Sequence, residues 1–248
     1  MAEILGFDIG GTGIKAALVD LDTGEFTKEK IKYATPQPST LESVASVLNQ
    51  LIDDFDWRDK VIGCGFPSII KQDVIYSASN IDKSWLGVNL NEFFIEHVGN
   101  EGAFINDADA AGLAEVTYGN IEDKSGTTLM LTLGTGIGSG LFLDGKLVRN
   151  TELGHLTHKD SIWEKHASNG ARKRLDLSWE DWGITLNDYI NHVDKLLNPD
   201  RILLGGGVSK KHEKFLKHIE LRDKVHIASM QNNAGIVGAA LAALPLLK

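Results

Sequence analysis

The sequence predicts an α/β protein made of two related domains, and three observations carry that prediction. The tetrapeptide Gly11-Thr12-Gly13-Ile14 returns in the second half as Gly134-Thr135-Gly136-Ile137. Each copy lies between two apolar, β-prone runs and so reads as a glycine turn joining two strands. Beyond each copy, short apolar runs alternate with stretches of helical period, the order expected when helices cover a sheet. A repeat of this kind points to a duplicated domain.

The elements follow in order. Ile4 to Ile9 is a strand that runs into Gly10-Gly11-Thr12-Gly13; Ile14 and Ala16 to Val19 return from it; Asp22-Thr23-Gly24 then turns the chain into a third, more polar strand over Glu25 to Tyr33. Ser39 and Glu42 fit a capping box, and Leu41, Val44, Leu48, Leu51, Ile52 and Phe55 recur at helical spacing behind them. Val61 to Phe66 reads as a buried strand ended by Pro67, and Ala103 to Ile105 as a strand that delivers Asn106-Asp107 to a helix running to about Tyr118. In the second half, Thr127 to Leu133, the glycine turn Gly134 to Gly138, Gly140 to Leu143 and the Asp144-Gly145 hairpin repeat the opening pattern. A helix from about Thr185 to Leu197, with Thr185 and Asp188 as its capping pair, precedes the strand Arg201 to Leu204 and the turn Gly205-Gly206-Gly207. Ser209 is the expected N-cap of a helix to about Ile219. Val225 to Ala228 is a short strand, and a small-residue helix from about Ala234 closes the chain. The boundary between the halves falls near Asp107, at a hinge inside a cleft.

Composition removes several classes. With 42% apolar residues and 24% charged ones, and no tract dominated by one residue type, the 248-residue chain is neither disordered nor collagenous nor coiled coil. One cysteine, Cys64, excludes an intrachain disulfide and suits a reducing compartment. Met1 to Phe7 lacks a basic leader, and Ala234 to Leu247 is too short to span a bilayer, so a cytoplasmic protein with no membrane partner is expected. The formal net charge of −9 argues against a nucleic-acid partner. Any polyanion must be met by a local basic site.

The glycine turns suit a phosphate chain, because missing side chains let backbone N–H groups approach the oxygens while Thr12 and Thr135 add hydroxyl donors. Taken singly, a Gly-Thr-Gly hairpin is more often a plain tight turn, and it is the duplication that favours the phosphate reading. The first turn lacks Walker spacing and leads into a strand, not the helix of a dinucleotide fingerprint. Asp8, beside it, would repel a phosphate unless a cation lay between them, which Mg2+ would supply; an aspartate capping the turn is the plainer alternative. Asp107 and Asp109 stand where either could cap a helix, yet a carboxylate at that junction could also orient an alcohol and accept its proton. Glu152 and His155, around Gly154, could hydrogen-bond vicinal hydroxyls; His158 and His166 lie nearby, but with no thiol and no standard ligand spacing zinc is not expected. Lys159, Lys165, Arg172, Lys173 and Arg174 form one basic group and Lys210, Lys211, Lys214 and Lys217 another, read either as solvated faces or as phosphate contacts near the start of the 209 to 219 helix.

Asp8-Ile9-Gly10-Gly11-Thr12-Gly13, Asn106-Asp107-Ala108-Asp109, Leu133 to Gly138, Glu152-Leu153-Gly154-His155 and Leu204 to Gly207 together resemble, in order, the motifs of the ROK sugar kinases of the actin and hexokinase superfamily. Thr35-Pro36-Gln37-Pro38, Asn80 to Trp85, Asn150-Thr151-Glu152 and Gln231 to Gly238 add a likeness to the polyphosphate glucokinase branch. The resemblance implies two actin-like (ribonuclease H-like) domains with a ligand cleft between them, residues 1–107 with about 234–248 forming the small one and 108–233 the large one. It implies transfer of a phosphoryl group from polyphosphate, and also ATP, to the 6-hydroxyl of glucose. Asp107 matches the catalytic base, and Asn80, Asn106, Glu152 and His155 match sugar contacts. Gly10, Gly11, Thr12, Gly13 and Lys15, with Gly134, Thr135, Gly136 and Gly138, form the expected phosphate set. Gly205, Gly206 and Gly207 match the nucleotide or donor end, and Asp8 the Mg2+-associated aspartate, acting through water. Many family members carry a Cys-rich zinc motif after Glu-x-Gly-His; Ser161 to Asp176 has no Cys, so no zinc is expected and what orders residues 156–176 is open. A homodimer is implied by likeness alone. Two alternatives stand beside this reading: an ATP-dependent kinase for glucose, mannose or an N-acetyl hexosamine, and a non-catalytic sugar sensor.

Overall fold

The computed structural model describes residues 2–79 and 81–247, and the chain divides into two compact units, residues 1–114 with 233–248 and residues 115–232. In the first unit, β1 (Glu3–Gly10) and β2 (Gly13–Asp20) form a hairpin closed by Gly11 and Thr12, and β3 (Ile31–Tyr33) pairs with β2. The third strand is therefore shorter than the predicted Glu25 to Tyr33: only Phe26 of the earlier part bridges to the sheet, at Val19, because Thr27 to Lys30 offers charge where a strand needs an apolar face.

α1 (Leu41–Phe55) buries Val44, Ala45, Leu48, Leu51, Ile52 and Phe55 along one stripe. Its N-cap is Thr40, whose hydroxyl accepts the Ser43 N–H, in place of the expected Ser39. Ser39 is engaged elsewhere: its hydroxyl accepts the Asp82 N–H and its carbonyl the Trp85 indole N–H. β4 (Ile62–Phe66) is wholly buried. The small hairpin β5 (Ile70–Lys71) and β6 (Val74–Ile75) and the helix α2 (Leu90–His97) lead to β7 (Gly102–Asn106) and α3 (Asp107–Tyr118). The sheet order is β3-β2-β1-β4-β7, antiparallel up to β1 and parallel beyond it. Cys64 is fully buried in β4, where burial and the nearby Asp8 carboxylate push its thiol far above the usual range, so it is chemically quiet.

The second unit repeats this plan. β8 (Thr127–Leu133), β9 (Ile137–Leu143) and β10 (Lys146–Val148) form the antiparallel half. The small hairpin β11 (Thr157–His158) and β12 (Ser161–Ile162), then α4 (Glu164–Ala167), α5 (Asn169–Arg174) and α6 (Trp179–Leu197) precede β13 (Arg201–Gly205) and β14 (Val225–Ile227). The sheet order β10-β9-β8-β13-β14 matches the first sheet position by position, with the same change from antiparallel to parallel at its centre. The duplication expected from two tetrapeptides is thus a duplicated topology.

Two predicted boundaries move. α6 begins six residues earlier than expected, capped by the Ser178 hydroxyl on the Asp181 N–H, while Thr185 donates to the Asp181 carbonyl from inside the helix. Trp182, which donates its indole N–H to the Ala167 and Ser168 carbonyls, anchors this extra turn. The predicted 209 to 219 helix is instead 3₁₀-helical over Gly207–Lys214, broken at Lys211. Val208 and Phe215 are its apolar anchors with only polar and charged residues between them, too few to seat an α-helix, and Ser209 donates to the Gly206 carbonyl where an N-cap was expected. The closing helix α7 (Ala234–Ala242) joins the first unit, packed on β1 and β4; a side chain at Gly63 would run into the Ala239 backbone, and one at Gly238 into that of Ala110.

Candidate active site

In the first unit the candidate residues gather at the carboxyl ends of the parallel strands, where α/β sheets bind ligands. Asp8 pairs in register with Gly65 of β4, which pairs with Ile105 of β7, so Asp8 and the Asn106-Asp107 junction lie two strands apart on one sheet edge, roughly 10 Å at ordinary strand spacing. Gly11 and Thr12 are exposed at the hairpin tip. The carbonyls of Gly10 and Gly11 accept hydrogen bonds from the Thr35 hydroxyl and the Gln37 amide, which leaves the loop N–H side as its ligand-facing chemistry. Lys15 closes an ion pair with Asp8 at 2.6 Å.

Asn106 organises the β7–α3 junction and shares one of the N–H groups it accepts with Asp107. Its side-chain oxygen accepts the Ala108 and Asp109 N–H groups at 2.9 and 3.2 Å, and its amide donates to the Ser68 carbonyl at 3.1 Å. A buried asparagine thereby caps α3 and fixes the loop after Phe66. Asp107, half-buried, is the first residue of the helix, with Oδ1 on the Ala108 N–H at 2.9 Å. Asn80 lies outside the described residues.

In the second unit, the turn after β8 is self-braced: Gly134 N–H donates to the Gly136 carbonyl, and the Gly134 carbonyl accepts the Gly170 N–H at 3.0 Å. Thr135 is exposed. The Glu164 carboxylate accepts the Ile137 N–H at 3.3 Å, and His155 stands between it (4.0 Å) and Glu152 (3.5 Å). Ser139 and Thr151 exchange hydrogen bonds, and Ser139 Oγ accepts the Leu153 N–H at 3.0 Å, tying the Glu152-to-His155 segment to β9 beside Gly138. Burial holds the Glu152 carboxyl above the usual carboxylate range, His155 opposing and Glu164 adding to the shift. Gly206 adopts φ +82°, and a side chain there would meet the Leu133 carbonyl at 2.6 Å, so the Gly205–Gly207 turn rests on the end of β8 beside the second glycine turn. Glu164, Ser139 and Ser168 were not singled out from sequence; Glu164 sits in a run of mixed polarity with no period or motif to mark it.

What orders residues 156–176 is an aromatic stack. His158 lies 3.5 Å from Trp163, nearly parallel, His166 meets His158 edge-on at 5.0 Å, and buried Trp163 packs on Tyr189 and His192. The Ser168 hydroxyl then caps α5 on the Ala171 N–H. Among the described residues no three His, Cys, Asp or Glu side chains converge as a metal site.

Two sheets of identical order, each with a glycine turn between its first two strands, form the actin-like two-domain fold of sugar kinases. The chain belongs to the ROK family, whose profile matches residues 4–173. It is 39% identical over 240 residues to a polyphosphate glucokinase of Mycobacterium tuberculosis, covering 96% of this chain and 90% of the relative. A polyphosphate glucokinase of Mycobacterium leprae is 38% identical over 238 residues, covering 96% and 73%. The crystal structure of an inorganic polyphosphate/ATP-glucomannokinase from Arthrobacter sp. strain KM superposes with a TM-score of 0.93 at 43% identity, covering 97% of this chain and 98% of that one.

Proposed function

We propose that this protein is a sugar kinase that transfers a phosphoryl group from polyphosphate, and from ATP, to the 6-hydroxyl of glucose. The observation that carries the reading is Asp107, a half-buried carboxylate fixed by the Asn106 cap at the end of a parallel strand, on the same sheet edge as the first glycine turn. Phosphoryl transfer to an alcohol asks little covalent chemistry of the protein; it asks for positioning and for charge stabilisation. In this reading Asp107 orients the hydroxyl and takes its proton, and Glu152 and His155, held on β9 by Ser139 and Thr151, accept and donate to the ring hydroxyls. The backbone N–H groups of the two glycine turns hold the donor phosphates, and Gly205 to Gly207 borders its far end.

Magnesium belongs to the same reading. Asp8 is a single, partly buried carboxylate at the foot of the first turn, already facing a cation in Lys15. One carboxylate with donor phosphates and water completing the shell is an ordinary Mg2+ arrangement, so the residues fit, and the ion would neutralise charge on the donor oxygens. A cytoplasmic location, which the single cysteine suits, and a homodimeric state, which rests on the family likeness, belong to the same reading.

The test is direct. Purified protein with glucose and Mg2+ is given ATP or long-chain polyphosphate, and glucose 6-phosphate is measured. Asp107→Asn should retain glucose binding and lose turnover by roughly 10²–10⁴-fold; near-normal turnover would overturn the base assignment. The Arthrobacter structure favours a second acceptor, because that protein is named a glucomannokinase. Mannose in the same assay decides it.

A further inference from the structure

We infer that the second unit carries a cationic track for the distal part of a long polyphosphate chain, built from Arg172, Lys211 and Lys214 around Trp179. The inference rests on the polyphosphate donor proposed above and extends it beyond the phosphate turn. Arg172 lies 4.1 Å from the Trp179 ring centroid, and the Lys214 and Lys211 ammonium groups lie 5.5 and 5.9 Å from the same ring. Trp179 is itself fixed by Trp182 and Phe215.

Three like charges share this one indole. The ring attraction fades near 6 Å, so it holds Arg172 well and the two lysines weakly. Among the described residues no carboxylate lies within 4.0 Å of any of the three. The hydrogen bonds of Arg172 go to neutral oxygens, of Asn169 and Leu177. In a chain of net charge −9, three cations gathered on one ring with no directly paired carboxylate repel one another, and a bound anion would relieve that repulsion.

The position of the cluster says which anion. Both elements that bear it start at the second phosphate turn. α5 begins where the Gly170 N–H meets the Gly134 carbonyl, and the Gly207–Lys214 segment begins at Gly206, against Leu133. They leave the turn as separate strands of chain and meet again over Trp179. A phosphate chain with its reacting end on Gly134 to Gly138 has a basic path onward between them. A nucleic acid is the poorer fit: single strands bind by stacking bases on open aromatic faces, whereas the Trp179 ring already carries Arg172 and Phe215.

Lys211 and Lys214 are exposed, so replacing them leaves the fold intact. The double variant Lys211→Ala/Lys214→Ala should raise KM for long-chain polyphosphate roughly tenfold, with kcat and the KM values for glucose, ATP and tripolyphosphate unchanged, since the short donors end before the track. Direct titration of the protein with long-chain polyphosphate at several salt concentrations should show the log–log salt slope falling by about two in the variant. An unchanged long-chain KM and an unchanged slope would overturn the track while leaving the kinase reading untouched. Equal losses for ATP and tripolyphosphate would overturn it too, by placing the lysines at the reacting phosphates. A single-stranded oligonucleotide that displaces polyphosphate at equal concentration would reassign the surface to nucleic acid. If the wild type makes no glucose 6-phosphate from polyphosphate yet binds it through these lysines, the proposed donor fails and the track stands.

Discussion

Asp8 and Lys15 face each other across the β1–β2 register and close an ion pair of 2.6 Å at the foot of the first glycine turn. From sequence both are expected near phosphate, Asp8 as a Mg2+ partner and Lys15 as a donor contact; in the structure they are partners of each other. A lysine so placed cancels the carboxylate charge that would otherwise repel a phosphate chain.

Lys15→Met should therefore raise KM for either donor about tenfold or more, leave KM for glucose near its starting value, and be partly restored in Lys15→Arg. Initial-rate kinetics with each donor checks this, and equal donor KM values in Lys15→Met and wild type would show that the pair is structural only. The size expected is that of breaking a partly buried charge pair, where most of the effect is the repulsion left behind.

Glu115 offers a stability prediction. Its carboxylate is buried and accepts three hydrogen bonds: from the Ser229 N–H at 3.0 Å, the Ser229 hydroxyl at 2.9 Å and the Met230 N–H at 2.6 Å. Glu115→Ala should lower the unfolding free energy by about 1.5–3 kcal/mol, because two backbone N–H groups and a hydroxyl lose a charged acceptor. Urea denaturation reads it as a lower midpoint at constant slope.

Such contacts also mark where the sequence stops being informative. The glycine turns, the strand-to-helix step at Asn106-Asp107 and the succession of strands and helices along the chain are legible because each is written within a few consecutive residues, as a turn or a period. Glu115 to Ser229, Glu164 to Ile137 and Ser139 to Thr151 join residues far apart through single polar contacts that leave no pattern. Capping errors have the same root. Ser39 and Thr40 have equal capping chemistry, and only the loop that brings Asp82 and Trp85 onto Ser39 decides between them. Asp107 and Asp109 stand as the candidate caps from sequence; in the structure the Asn106 amide also caps, because it can accept two N–H groups and still donate to Ser68, while Asp107 shares the Ala108 N–H.

Acid sensitivity should arise at His158. Burial pushes its pKa down, His166, Lys159 and His192 push it further, and Asp188 opposes them. The folded pKa thus lies below the unfolded one, the unfolded state holds more protons between the two, and stability is full above the unfolded value and is lost as pH falls toward the folded one. Wild-type protein should melt lower at pH 5 than at pH 7, and His158→Phe, which keeps the stack on Trp163, should show a smaller difference. Calorimetry at both pH values checks it; identical differences in the two proteins would remove His158 as the source.

Glu152 makes a prediction for catalysis. Its carboxyl is held above the usual carboxylate range by burial, so the ionised form that would accept sugar hydroxyls under the proposed function is lost at a higher pH than an exposed glutamate would require. As pH falls through that raised range, KM for glucose should rise. Glu152→Gln, which cannot titrate, should show a weaker but pH-independent glucose KM on this acid limb. An acid limb of the same position in Glu152→Gln would assign it to another group.

The triple glycine after β13 gives a matched pair of substitutions. Gly206 sits at φ +82°, ψ 172°, a region open essentially to glycine alone, and an added methyl would stand 2.6 Å from the Leu133 carbonyl. Gly207, its neighbour, lies outside the left-handed region, and a methyl there meets nothing within 4 Å. Gly206→Ala should cost about 1–3 kcal/mol and displace the end of β8, so the glycine turn at Gly134, the proposed donor site, moves with it and donor KM rises. Gly207→Ala should unfold at the wild-type midpoint, and any change it makes to donor KM then reports contact with the donor itself. Denaturation and donor kinetics on the pair separate the two effects: a stable Gly206→Ala protein with unchanged donor KM would show that the β13 turn does not support the phosphate turn.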